Sequence, residues 1–174
     1  MQTRAPFWAE GLTARELFRM AQRCAKEMER EKGTLLRLEA REGVKGAGLE
    51  AVRSSGNHDP MEPTDARMDY EARIQPSIED CEDKVNYACS VLYGLDYLGR
   101  SGGLYVIAEH VMSDILCLHY CQNMKWPEVA YIVGYSKSQT IEKARQALAL
   151  IDAIGFCACI RGERPDAIGL NRAD

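Results

Sequence analysis

Residues 115–151 read ILCLHYCQNMKWPEVAYIVGYSKSQTIEKARQALALI, and this stretch decides the fold. Two helical patterns flank the turn Val133-Gly134-Tyr135-Ser136. Trp126, Val129, Ala130 and Val133 recur at three- and four-residue spacing, so they share one face of a short helix. Pro127 fits the first turn of that helix, where a missing N–H costs nothing. Gly134 supplies a left-handed residue to end it. Ser136 is then an N-cap for the next helix, with Gln139 three residues on, the spacing of a capping box. Ile141, Ala144, Leu148 and Ile151 are expected to line the inner face of this second helix, and small Ala130 lets the two helices cross closely. Helix, Gly-containing turn and capped helix together form the pattern of a helix-turn-helix.

The residues L-x-Y-x(5)-W-x-E-V-A-x-x-x-G-Y-S-x-S, followed by A-L, resemble region four of bacterial sigma factors. They are more closely similar to phage and prophage late-gene transcriptional activators of the RinA/ArpU type. The matching positions are Leu118, Tyr120, Trp126, Glu128, Val129, Ala130, Gly134, Tyr135, Ser136, Ala147 and Leu148. The resemblance implies that the second helix of the motif lies in the DNA major groove and that the protein contacts RNA polymerase. It also gives a register that differs from the periodicity. An ungapped match places Thr140 and Lys143 at usually apolar positions and Ile141 where DNA is often contacted. The internal periodicity instead buries Ile141 with Ala144. Either the helix is rotated or the turn holds one extra residue.

The chain has 174 residues, enough for one sizeable core or a small domain with a helical arm. A net charge of −4 and a pI near 5.5 exclude a general polyanion binder. Between Lys125 and Arg145, however, Lys125, Lys137, Lys143 and Arg145 face only Glu128 and Glu142, a local excess of two positive charges. Non-specific affinity from one copy is then weak, and a homo-oligomer or partner is expected. No basic segment with an apolar run opens the chain and no long apolar stretch follows, so the expectation is a cytoplasmic protein with no membrane partner and its seven cysteines reduced.

Upstream, residues 1–11 form a short lead-in containing Phe7 and Trp8. Thr13 and Glu16 give a capping-box signature, and a helix is expected from there to about Glu42. Leu17, Ala21, Cys24, Met28, Leu35 and Leu38 follow four- and three-residue steps, broken only by Glu31, as in a coiled-coil seam. Residues 43–63 carry glycines, serines, Asn57, His58 and prolines, and read as a linker. A second seam, Ile74, Ile78, Cys81, Val85, Ala88, Leu92 and Leu95, runs within a helix expected over about Thr64 to Tyr97. Pro76 predicts a kink, or a helix that starts near Ser77. The two seams can pair as an antiparallel hairpin or with another copy. After the break at Gly99–Gly103, one helix from Leu104 to Gln122 is expected, with Leu104, Ala108, Val111, Ile115 and Leu118 inward. Residues 155–174 read as a loose tail.

Cys117, His119 and Cys121, with Cys157 and Cys159, raise the question of zinc, which favours tetrahedral Cys and His sets. Cys117 and Cys121 share a helical face, but reduced cysteines are commonly buried as small apolar groups, so packing without a metal is the expectation. No catalytic or phosphate-binding motif is present, and Glu79, Asp80, Glu82 and Asp83 read as a solvated helix face, so neither an enzyme nor a cofactor is expected. Trp126 is expected to close the small core under the turn rather than stack on a base.

The sequence therefore predicts an all-α chain. Residues 1–98 form a coiled-coil-like hairpin or dimer region, 104–154 a helix-turn-helix domain and 155–174 the tail. The predicted function is sequence-specific transcriptional regulation of phage or prophage type, on double-stranded DNA. Ser136, Lys137, Ser138, Gln139, Lys143 and Gln146 face outward to the duplex, the lysines toward phosphates or guanine edges and the glutamines toward adenine. A ring-forming DNA-packaging component and a helical adaptor that binds no DNA are the alternatives.

Overall fold

A computed structural model describes residues 5–46 and 62–164. The fold is all-helical, with no strand among the described residues. A 3-10 turn at Phe7–Ala9 precedes α1 (Ala14–Gly46), and α2 spans Glu62–Tyr93. Two short helices follow, α3 (Leu104–Ile107) and α4 (His110–Leu116), the latter running into a π-helical turn at Cys117–Cys121. Then come α5 (Trp126–Val133), α6 (Lys137–Ile154) and α7 (Phe156–Arg161). The linker expected over 43–63 lies mostly outside the described residues, as does His58; its first four positions continue α1.

The described chain divides into two compact units, one up to Ala25 and from Glu82 onward, the other Lys26–Cys81. This departs from the expected boundary at residue 98, because the first turns of α1 and the last turns of α2 belong with the C-terminal helices. In the first unit, Leu17, Phe18, Val91, Leu92, Leu104, Ile115, Leu116, Val129 and Ile151 are fully buried in one core. Phe18 packs on Tyr120 with ring centroids 5.8 Å apart. The start of α1 is fixed twice. Thr13 and Glu16 exchange the expected capping-box bonds, the Thr13 N–H donating to the Glu16 carboxylate at 2.9 Å. The Ala14 N–H, one of the donors every helix start leaves without an internal partner, donates to Asp152 Oδ1 at 2.6 Å.

Three expected elements differ. α2 ends at Tyr93 because Gly94 takes φ 78°, so Leu95 leaves the seam and is exposed; Pro76 sits inside α2, which begins well before Ser77. The single helix expected over Leu104–Gln122 breaks at Ala108 and Glu109, both extended. The break lets two ends satisfy different neighbours. Before α3, the Gly103 N–H donates to Cys159 O at 2.8 Å, while α4 packs on α6. Gly103 has φ 84°, and a Cβ there would overlap the carbonyl oxygen of Leu92. The tail, finally, is not loose through residue 164: Gly155 and Gly162 bound α7, whose Ala158, Cys159 and Ile160 are buried.

In the second unit the two helices run antiparallel, since Glu27 meets Ser77 (3.4 Å) and Glu31 meets Tyr70. This is the hairpin arrangement of the two seams. Glu31, the one break in the first seam, is buried and accepts hydrogen bonds from the Tyr70 hydroxyl and the Arg30 guanidinium. These two partners, Tyr70 first, hold its carboxyl below the usual glutamate range. Apart from Glu31, only Ile74 and Cys81 are buried among the described residues of this unit.

Candidate nucleic-acid interface

The interface candidate is built on α5, the turn and α6. Pro127 lies in the first turn of α5, and Glu128 accepts the Lys125 backbone N–H at 2.9 Å, holding the chain as it enters the helix. Gly134 ends α5 in the left-handed conformation (φ 74°, ψ 23°). Ser136 caps α6: its Oγ accepts the Gln139 N–H at 3.2 Å, and Gln139 Oε1 accepts the Ser136 N–H at 3.1 Å. Both the turn glycine and the capping box lie where the spacing predicts them.

The helix register differs from the periodicity. Thr140, Ala144, Ala147, Leu148, Ile151 and Ile154 are the buried residues of α6, while Ile141 is half-buried. Thr140 occupies an apolar position at little cost because its Oγ1 donates to Ser136 O at 2.9 Å. The expectation of Ile141 on the inner face is thus corrected in the direction of the register that the resemblance gave.

Of the outward residues, Ser136, Lys137, Ser138, Gln139 and Gln146 are exposed. Lys143 is half-buried and committed: its Nζ binds Glu109 Oε2 at 2.6 Å and lies 5.2 Å from the centre of the Tyr135 ring. The Glu109 hydrogen bond holds the lysine firmly in its charged form. Glu109 could not be paired with Lys143 from sequence, because it stands at the break between α3 and α4. Tyr131 and Ile132 on α5 are exposed, Tyr131 to 88%. Trp126 packs against the core and stacks on His119 at 3.7 Å, as expected of a side chain closing the base of the turn.

His119 also bonds through Nδ1 to the Met124 carbonyl oxygen (2.8 Å), so its ring is directed toward α5. The cysteines that flank it take another course. Cys117 and Cys121 meet Cys89 of α2, a residue the sequence reading did not connect with them. Hydrogen bonds from Cys121 and then Cys89 hold the Cys117 thiol well below the usual range, and the same contacts with Cys117 push those two partners up. Cys157 and Cys159 do not join this group. Cys159 is buried in the core, and burial pushes its thiol up to about 12.

No family model, curated protein or solved structure matches the chain. Among the described residues no helix is long and apolar enough to cross a membrane.

Proposed function

We propose that residues 126–154 form a DNA-reading helix-turn-helix and that the chain is a sequence-specific transcriptional regulator of phage or prophage type. The observation that carries this reading is the two-sidedness of α6. Its inner face is anchored by Thr140, Ala144, Ala147, Leu148 and Ile151, while Ser136, Lys137, Ser138, Gln139 and Gln146 stay exposed. A capped helix N-terminus with Lys137 beside it favours phosphate, and glutamine amides can pair with adenine edges. Lys143 is already neutralised by Glu109, so Lys137 carries the larger phosphate contribution. The small local charge excess makes one copy a weak binder, and an oligomer is part of the proposal.

Selection of bound duplexes from random DNA, with the oligomeric state measured on the same sample, tests it. Gln139→Glu is the sharpest variant. The carboxylate preserves the acceptor of the capping box but removes the amide donor. The melting temperature should hold, while affinity for the selected site falls by about 1–3 kcal/mol or more. Lys137→Ala should weaken selected and random DNA alike and lower the salt slope by about one. A folded protein that enriches no duplex overturns the reading.

A further inference from the structure

Three thiols from two helices converge in the first unit. Cys89 stands on α2, and Cys117 and Cys121 stand at the two ends of the π-helical turn. Their Sγ atoms all lie within 4.8 Å of one another, and each residue is half-buried. Tetrahedral zinc with bonds of about 2.3 Å spaces its sulfurs about 3.8 Å apart, so the thiols need to close by about 1 Å at most. Two cysteines on one helix face are ordinarily packing residues. The third sulfur, arriving from a different helix, is what separates this cluster from that arrangement.

The surroundings match a ligand set. The Gln122 side-chain amide donates to Cys117 Sγ at 3.9 Å. The Tyr93 hydroxyl lies against Cys117 and donates to Asp114 Oδ1 at 2.9 Å. A donor such as the Gln122 amide orients a sulfur ligand and offsets part of the negative charge that three thiolates place on a divalent ion. A cavity of about 490 Å³, lined by Tyr93, Asp114, Cys117, Gln122, Ile132 and Val133 among others, gives Cys117 an approach from outside. It leaves room for a fourth ligand.

We propose that Cys89, Cys117 and Cys121 bind a thiophilic cation with a filled d shell, zinc above all, with its fourth position facing this cavity. Each thiol that ligates exchanges its S–H bond for a sulfur–metal bond and releases its proton to solvent, with no change of oxidation state. The site stands independently of the DNA-reading proposal, since none of its residues lies on the exposed face of α6.

The full-length chain, reduced and stripped of metal, should be titrated with Co²⁺ and then Zn²⁺. A thiolate-to-cobalt charge-transfer band is expected to grow to one equivalent per chain and to bleach as zinc replaces cobalt. Cys89→Ser and Cys121→Ser should each weaken binding by at least about 100-fold, and Cys157→Ser should leave it unchanged. Protection from alkylation, read by mass spectrometry on the unmutated chain, keeps the test independent of how the variants fold. Zinc should protect Cys89, Cys117 and Cys121 and no other cysteine. The same protection with copper(I) but not zinc would support the thiolate site and assign it to the monovalent ion. Absence of both band and protection, protection falling on Cys157 and Cys159, or binding that survives Cys89→Ser would each overturn the proposal.

Discussion

The two units share the two long helices α1 and α2, yet they bury very different interiors. Around Leu17, Phe18, Ala88, Val91 and Leu92, the ends of α1 and α2 are covered by α4, α6 and the π-helical turn, and the side chains are wholly enclosed. In the Lys26–Cys81 unit the seam continues with Met28, Leu35, Leu38 and Ile78, but all of these remain partly exposed. A heptad seam fixes which face a helix buries; how completely it is buried depends on what else the chain lays over that face.

The contrast is tested most strongly by truncating one large side chain in each unit. Phe18→Ala should destabilise by about 3–5 kcal/mol in urea unfolding followed by circular dichroism. Leu35→Ala should cost less, about 1–2 kcal/mol, because part of its side chain is already in water. Equal losses would erase the distinction between the units.

Gly103→Ala comes next, at about 1–3 kcal/mol. It combines a positive φ with a methyl directed at the Leu92 carbonyl, and calorimetry should register it although no apolar contact is removed. Ser136→Ala removes a helix cap and should lower stability by about 1 kcal/mol, with Ser136→Thr restoring most of it. The smallest effect belongs to the second unit. The folded pKa of Glu31 is lowered, so its contribution is present above the ordinary value of 4.5 and is lost as pH falls through the folded value. Helicity of the unmutated chain should therefore drop on acidification by more than that of Glu31→Gln. Identical acid titrations would show that the Tyr70 and Arg30 bonds contribute nothing to the hairpin.

Much of the framework was legible because its signals are local. Thr13 with Glu16, Ser136 with Gln139, and Gly134 each act within one helical turn, so spacing alone identifies them. The errors share a different cause. Thr140 outcompetes Ile141 for the interior because its hydroxyl finds the Ser136 carbonyl, which hydrophobic periodicity does not register. The break at Ala108 and Glu109 contains neither glycine nor proline; it follows from the pull of α7 on one side and α6 on the other. α7 was hidden by the glycines that bound it, since Gly155 and Gly162 read as loop when they serve as helix boundaries. Cys89 carried no local sign of its partners, because the meeting of α2 with the π-helical turn is purely tertiary.

The Ala14 amide waits for Asp152, and the Phe18 ring for Tyr120. During synthesis the beginning of α1 therefore leaves the ribosome with its apolar face bare, and Tyr120 and Asp152 are made more than a hundred residues later. The hairpin 26–81 can close early, on neighbours already translated, while the larger core closes only after release of the C-terminal helices. A chain interrupted before the π-helical turn would carry Phe18 without Tyr120, an adhesive surface that quality-control proteases and chaperones recognise in unfinished proteins.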